Sequence, residues 1–169
     1  MNTTPQLTKQ IILDASSVIN LAAGRVLQKI LAAPECAFSV GAVVHSELGN
    51  LRDTIDQLTQ NGLICRMSGI DVSAAELRQK QLQHGIGPGE AECIIQAGRR
   101  PLIVCTDDRR ARKIAEKVLG RTLVTGSIGL LKDAVQVGAL TESEAWNAYT
   151  TMKAAGAFLP TLPVGFFSA

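Results

Sequence analysis

The sequence has few aromatic residues and no long apolar run, and each shortage excludes a class of protein. Aromatic residues make up only 4% of the 169 residues, so aliphatic side chains must fill the core. No apolar stretch approaches the roughly 20 residues that a membrane-spanning helix needs, so we expect no membrane association. The segment from Met1 to Gln10 lacks the apolar centre of a signal peptide, and we therefore expect a cytoplasmic protein.

The cysteines and histidines are too few and too scattered to form a metal site or a disulfide framework. The four cysteines are Cys36, Cys65, Cys93 and Cys105. They include no C-x-x-C pair and have no histidine at zinc-finger spacing, so we expect small buried residues in a reducing compartment. His45 and His84 are isolated in the sequence, which favours surface or helix-capping roles and excludes a visible Ser-His-Asp triad.

Apolar stretches of strand length alternate with helical patterns along the chain. The predicted strands are Ile11 to Leu13, Cys36 to Val40, Leu63 to Met67, Leu102 to Cys105 and Thr122 to Val124. Capping boxes at Ser73 and Thr141 mark two helix starts, and a helix over 108–119 is predicted to turn Val118 inward. Strands separated by helices predict an α/β domain whose mostly parallel sheet is covered on both faces, spanning residues 1–169.

The C-terminal tail, residues 158–169, is unusually apolar. Three of the four phenylalanines lie between Phe158 and Phe167, together with two prolines. We expect this tail to pack back on the domain. The alternative is a dimer or partner contact, since exposed apolar patches commonly mark interaction surfaces.

Acidic residues stand where predicted strands give way to helices. Asp14 and Asp108 follow the first and fourth strands, Glu47 lies in the helical stretch after the second, and Glu90 follows a glycine-rich loop. The carboxyl ends of parallel strands meet at one sheet edge, where carboxylates about 5 Å apart would repel by roughly 3 kcal/mol per pair. A divalent ion with oxygen ligands, Mg²⁺ or Mn²⁺, would offset this repulsion. Each acid taken alone is also explained as a helix cap or a solvated side chain.

Four motifs in order resemble the PIN-domain nucleases. The motifs are Ile12-Leu-Asp-Ala-Ser-Ser-Val-Ile19, Val43-Val-His-Ser-Glu-Leu48, Gly89-Glu-Ala-Glu92 and Thr106-Asp-Asp-Arg-Arg-Ala-Arg112. The resemblance is to a prokaryotic branch, usually called predicted nucleic-acid-binding, that is related to VapC-type toxins. It extends into Val124-Thr-Gly-Ser-Ile-Gly-Leu-Leu131 and implies a PIN-like three-layer α/β/α fold with about five strands.

The resemblance implies roles for particular residues. The catalytic acids would be Asp14, Glu47, Glu90 and Asp108, with Asp14, Glu90 and Asp108 as metal ligands. Glu92 is an alternative ligand, because this branch carries both Glu90 and Glu92. Asp107 is a further alternative, although its position is often Asn in the family and Asp108 aligns with the last acid. Ser16 and Thr106 would support the site.

The implied activity is hydrolysis of phosphodiester bonds with Mg²⁺ or Mn²⁺, by an endonuclease acting on RNA, with DNA as an alternative substrate. A toxin of a toxin–antitoxin pair, bound by a small protein inhibitor, and a homodimer are further expectations. The alternative is a PIN-like module that binds nucleic acid or a partner without cleaving. Basic residues near the fourth strand are Arg99, Arg100, Arg109, Arg110, Arg112 and Lys113. Of these, Arg109 and Arg112 are the candidates for phosphate contacts, although a solvated helix face explains them equally.

Overall fold

Five short parallel strands form the sheet of the computed structural model, which describes residues 8–168. The strands are β1 (Lys9–Leu13), β2 (Cys36–Val40), β3 (Cys65–Arg66), β4 (Ile103–Cys105) and β5 (Val124–Thr125). All four pairings are parallel, so the predicted mostly parallel sheet is parallel throughout. Residues 1–7 of the polar N-terminal segment and residue 169 of the tail lie outside the described range.

Nine α-helices and three short 3₁₀ turns connect the strands within residues 8–168. The helices are α1 (Ala15–Ala23), α2 (Leu27–Leu31), α3 (Ala42–Glu47), α4 (Arg52–Gln60), α5 (Ala74–His84), α6 (Pro88–Arg99), α7 (Arg109–Leu119), α8 (Ser127–Gln136) and α9 (Glu142–Ala154). The 3₁₀ turns are Gly49–Leu51, Gly69–Asp71 and Arg121–Leu123. None of the helices in this part of the chain combines the length and apolar character needed to span a membrane.

The strand order is β3-β2-β1-β4-β5, so the chain reverses its direction of winding at β1. From β1 the chain winds outward through β2 to β3 and then returns to place β4 on the other side of β1. In open parallel sheets, ligands bind beyond the carboxyl ends of the strands at such a reversal. The topology therefore points to the ends of β1 and β4, where Asp14 and residues 106–108 follow.

Two groups of helices cover the sheet, which gives the predicted three-layer α/β/α architecture. Helices α1, α2, α8 and α9 pack with one another, as do α3, α5, α6 and α7. β1 is the centre of the core, since Ile11, Ile12 and Leu13 are almost completely buried. The capping boxes predicted at Ser73 and Thr141 begin α5 and α9.

Several predicted side-chain environments were wrong. Cys65 is exposed, because β3 is a two-residue strand at the sheet edge, and Cys36 is only half-buried. His45 is buried and its Nε2 lies 2.8 Å from Asp56 Oδ1, an ion pair or hydrogen bond that joins α3 to α4. Val118 is exposed, because the buried side of α7 is formed by alanines one turn apart.

The C-terminal tail packs partly on α9 and partly faces solvent. Phe167 is buried, and its ring lies 6.4 Å from those of Trp146 and Tyr149. The Tyr149 hydroxyl donates to the Pro160 carbonyl at 2.7 Å. Phe158, in contrast, is completely exposed. The predicted packing against the domain therefore describes Leu159, Leu162 and Phe167, whereas Phe158 and Val164 face solvent.

Candidate active site

Asp14 lies at the carboxyl end of β1, next to the end of β4. Its backbone N–H donates to the Cys105 carbonyl at 3.1 Å, and the Ser17 hydroxyl donates to the same carbonyl at 2.9 Å. The Asp14 carboxylate caps α1, because Oδ1 accepts the Ser17 N–H at 2.8 Å, and the Ser16 hydroxyl lies 2.8 and 3.0 Å from its two oxygens. These bonds fix the carboxylate at the reversal point of the sheet.

Burial raises the pKa of the Asp14 carboxyl to about 6 from its ordinary 3.8. Only 2% of the residue is exposed, so its charged form has lost most of its hydration. Hydrogen bonds from Thr106, Ser17 and Ser16 oppose this rise without cancelling it. The site therefore contains a carboxylate whose charge is only partly compensated by the protein.

Ser16 connects Asp14 to the segment after β4. Its hydroxyl lies 2.8 and 3.0 Å from the two Asp14 carboxylate oxygens and accepts the Asp107 N–H at 3.0 Å. The Thr106 hydroxyl accepts the Asp108 N–H at 3.2 Å. Asp14, Ser16 and Asp107 thus form one hydrogen-bonded group, with Thr106 and Asp108 in the same segment.

The two aspartates after β4 make different contacts. Asp108 caps α7, since its Oδ1 accepts the Ala111 N–H at 2.7 Å, and its Oδ2 accepts no hydrogen bond within residues 8–168. Both oxygens of Asp107 are used: Oδ1 accepts the Ser127 N–H at 2.8 Å, and Oδ2 accepts the Asn20 amide at 2.7 Å and the Ser127 hydroxyl. Asp107 therefore joins α1 to α8, while Asp108 keeps one oxygen available.

Sequence reasoning missed Asn20 and Ser127 as parts of this group. Asn20 lies on the second turn of α1, where nothing in the sequence distinguishes it from a solvated polar residue. Ser127 stands in the Val124-Thr-Gly-Ser segment that extends the PIN resemblance, and that was the available signal.

Glu47 and Glu90 approach the same edge from α3 and α6. Glu47 Oε1 accepts the Gly89 N–H at 3.1 Å, and Glu90 Oε2 accepts the Gly87 N–H at 2.6 Å, which closes the first turn of α6. A side chain at Gly89 would overlap the Glu47 carboxylate, which would have to move. Glu47 is only partly buried and Glu90 is half-buried, and each has a second oxygen without a hydrogen bond in the described part of the chain.

Glu92 occupies a different environment from Glu90. It is 1% exposed, and its Oε2 accepts the N–H groups of Val43 and Val44, both at 3.0 Å. A side chain at Gly41 would overlap its carboxylate. Glu92 therefore holds the first turn of α3 against α6.

The two groups of acids meet around Cys93. Its thiol lies 3.7 Å from the Leu13 carbonyl at the end of β1. Burial raises the pKa of this thiol well above its usual range, and the charges of Asp14, Glu92 and Glu47 raise it further. The pKa of Glu47 is raised by burial and then by the carboxylates of Glu90 and Glu92. Negative charge is therefore concentrated at this edge of the sheet.

The donor chemistry at this edge fits a hard divalent cation, although the side chains are not arranged around one point. Carboxylate and hydroxyl oxygens suit Mg²⁺ or Mn²⁺. Within residues 8–168, no three Asp, Glu, His or Cys side chains form a group that could hold an ion as they stand. Each predicted acid except Asp107 and Asp14 has an oxygen that accepts no hydrogen bond from residues 8–168.

The predicted basic cluster is divided between two ends of the sheet. Arg99 and Arg100 precede β4 and pair with Glu76 and Asp71, away from the acidic edge. Arg109, Arg110, Arg112 and Lys113 lie in the first turns of α7, directly after Asp108. Arg109 is exposed and forms no salt bridge among the residues described, whereas Arg112 Nη1 lies 3.9 Å from Glu116.

One family model and one solved structure are similar to this chain. The crystal structure of PAE2754 from Pyrobaculum aerophilum is similar over 82% of this chain and 95% of that one, with 17% sequence identity and a TM-score of 0.49. No curated protein matches the chain. A family model described as DUF3368, a PIN domain, matches residues 10–162. Since this match spans nearly the whole chain, the protein belongs to the PIN-domain family.

Proposed function

We propose that this protein is an endoribonuclease that requires a divalent metal ion. PIN domains are in general nucleases that use divalent metals and interact with nucleic acid. The observation that supports the proposal is the connection of Asp14 to the segment that carries Asp107 and Asp108, through the Ser16 hydroxyl at the reversal point of the sheet. A buried carboxylate with a raised pKa at such a point is typical of a functional site.

We assign the ion to Asp14, Glu90 and Asp108, with Glu47 as an additional oxygen donor. When bound, Mg²⁺ or Mn²⁺ lowers the pKa of a coordinated water and stabilises negative charge on phosphate oxygens. Ser16 and Thr106 keep the segments after β1 and β4 in register, so that the Asp14 and Asp108 carboxylates stay on the same edge.

Glu92 and Asp107 are positioning residues in this proposal. Glu92 fixes the first turn of α3 and thereby the helix that carries Glu47. Asp107 accepts hydrogen bonds from the Asn20 amide and from the N–H and hydroxyl of Ser127, and these bonds join α1 to α8. Of the alternatives left open by the sequence, we therefore choose Glu90 and Asp108 as ligands.

The proposed metal role is tested with Asp14→Asn and Asp108→Asn. Asparagine keeps the helix-capping bond but loses the charge, so we expect a normal fold with loss of Mn²⁺ binding and of cleavage of a labelled RNA. Asp53→Asn, which changes an exposed acid in the first turn of α4, is the matched control. Undiminished cleavage by purified Asp14→Asn would contradict the proposal, and cleavage of DNA but not RNA would correct the substrate.

The basic first turns of α7 are the proposed contact for the phosphate backbone. Cations at a helix N-terminus oppose the helix dipole, so α7 bears an unfavourable charge arrangement that contacts with phosphate would relieve. We expect Arg109→Gln to weaken RNA binding and to reduce the slope of log K against log salt concentration by about one, the change expected for one lost phosphate contact. Lys117→Gln, in the last turn of the same helix, should change neither. Equal effects of the two substitutions would favour a merely solvated helix.

A second candidate function is a module that binds RNA without cleaving it. It is favoured by the absence, within residues 8–168, of three side chains arranged around one ion. RNA binding without cleavage in Mg²⁺ and in Mn²⁺ would support it. The toxin role, a small protein inhibitor and a homodimer stay predictions, tested by co-purification and by the mass in solution.

A further inference from the structure

A groove of about 780 Å³ opens beside the acidic edge, between the start of α7 and the C-terminal tail. Its lining includes Asp107, Arg109 and Arg112 from the start of α7 and the segment before it, and Phe158 and Phe166 from the tail. Because Asp107 also belongs to the hydrogen-bonded group of the site, the groove and the acidic edge are continuous. Its volume is within the roughly 300–1,000 Å³ that small-ligand pockets have.

Phe158 is presented on this groove by a fixed segment. Its neighbours are held on both sides: the Ala157 N–H donates to the Met152 carbonyl at 3.0 Å, and the Pro160 carbonyl accepts the Tyr149 hydroxyl. The Tyr149 hydroxyl also accepts the Leu162 N–H at 3.1 Å. The Phe158 ring itself is completely exposed. It makes no contribution to the core, so packing does not explain an aromatic residue here.

Two arginines line the groove beside the Asp107 carboxylate. Arg112 lies above Gly126, where any side chain would overlap its guanidinium, and its Nη2 donates to the Thr106 carbonyl at 3.4 Å. Arg109 is one turn away on the exposed side of α7. Guanidinium groups and an exposed ring in one groove match the two parts of a nucleotide, since arginine binds the phosphate and the ring stacks on the base.

We propose that this groove binds one unpaired nucleotide of single-stranded RNA next to the cleaved phosphate, with Phe158 stacking on the base. The inference rests on the proposed function, because it takes the RNA backbone to cross the acidic edge. It differs from a general basic surface, since it assigns a base contact to the C-terminal tail. A second copy of the chain is the competing occupant, and the mass in solution distinguishes it from RNA.

The test measures binding of a fluorescein-labelled oligoadenylate by the full chain in EDTA, which prevents metal-dependent cleavage. Phe158→Ala should weaken binding about tenfold, the loss expected for one stacked base. Phe158→Trp should restore affinity, and its fluorescence should be quenched by the oligonucleotide beyond the change seen for Trp146 in the unmodified chain. Val164→Ala, another exposed tail residue that lies outside the groove lining, is the matched control.

Inorganic polyphosphate separates the base contact from the charge contact. It has a phosphate backbone without bases, so its own dissociation constant should be the same for the unmodified chain and for Phe158→Ala. An oligoadenylate affinity unchanged by Phe158→Ala would overturn the proposal, and a simultaneous change of mass in solution would assign the ring to a second copy. Equal weakening toward RNA and polyphosphate would also overturn it.

The same variants distinguish failure of the subsite from failure of the function. If the unmodified chain cleaves the oligonucleotide in Mn²⁺ and Phe158→Ala binds it normally, the subsite falls and the nuclease function stands. If the unmodified chain binds no RNA, both the substrate and the subsite are overturned.

Discussion

The buried carboxyl of Asp14 makes the stability of the metal-free protein depend on pH. Its pKa is about 6 in the folded chain against an ordinary 3.8. Between these values the folded state holds a proton that the unfolded state has lost, so stability falls as the pH rises. The group's contribution is fully present below about pH 3.8 and is lost above about pH 6. A pKa difference of about 2, at 1.36 kcal/mol per unit, corresponds to about 3 kcal/mol.

Asp14→Asn removes this charge and keeps the cap, because an asparagine oxygen accepts the Ser17 N–H as well as an aspartate does. In EDTA above about pH 7, we therefore expect the variant to be more stable than the unmodified chain by up to about 3 kcal/mol. The difference should disappear as the pH approaches 4. Urea unfolding at a series of pH values measures both quantities. Asp108→Asn is the matched control, since it also caps a helix but is not buried.

Addition of a divalent ion should reverse this order of stability. An ion that binds the ionised carboxylate raises the free energy of unfolding of the unmodified chain, and this effect grows with the ion concentration relative to its Kd. The stability of Asp14→Asn should not change. If Asp14→Asn is no more stable than the unmodified chain at pH 7.5 in EDTA, or if both lose stability in parallel from pH 4 to pH 7, the pKa of Asp14 is not raised in the folded protein.

Two glycine substitutions and one asparagine substitution test the packing and the hydrogen bonds around the candidate site. Gly89→Ala should displace the Glu47 carboxylate and lower the free energy of unfolding by about 1–3 kcal/mol, measured in urea, together with RNA cleavage. Gly98→Ala in the same helix has room for a methyl group and should stabilise the chain by about 0.5–1 kcal/mol. Asn20→Ala removes a hydrogen bond to Asp107 and should lower the free energy of unfolding by about 2 kcal/mol, which a lower melting temperature would reveal. An unchanged melting temperature would show that the connection of α1 to α8 does not depend on Asn20.

The strands were largely predictable because their apolar runs are short and bounded. β2 begins and ends where the sequence predicted, at Cys36 and Val40. β5 was displaced toward the C-terminus, because Gly120 adopts φ 92° and begins a 3₁₀ turn that occupies most of the predicted strand. α6 begins two residues before the predicted Glu90, since Pro88 occupies its first turn, where a missing N–H has no consequence.

The acids of the candidate site were predictable from their places at strand ends, and their individual environments were not. Nothing local distinguishes Glu90 from Glu92, and the difference arises only when α3 packs against α6. Similarly, Asp107 and Asp108 are neighbours in sequence, yet one joins two helices and the other caps a third. The exposed Phe158 was also not predictable, because the tail composition indicated burial for all of its phenylalanines.

The carboxylates of this edge are stabilised by helix N-termini in the absence of an ion. Asp14 caps α1, Asp108 caps α7, Glu90 closes the first turn of α6 and Glu92 accepts two N–H groups from α3. In a parallel sheet, every helix that follows a strand begins at the carboxyl edge, so the partial positive charges of these helices converge where the acids lie.

This arrangement explains how the protein stays folded with so many acidic residues at one edge of its sheet. It also implies a competition, because an ion must draw oxygens away from the N–H groups that they now accept. Asp14 gains the most from such an exchange, since its bonds from Thr106, Ser17 and Ser16 leave its pKa raised. The ion affinity of the site should therefore depend more strongly on the burial of Asp14 than on the number of carboxylates around it.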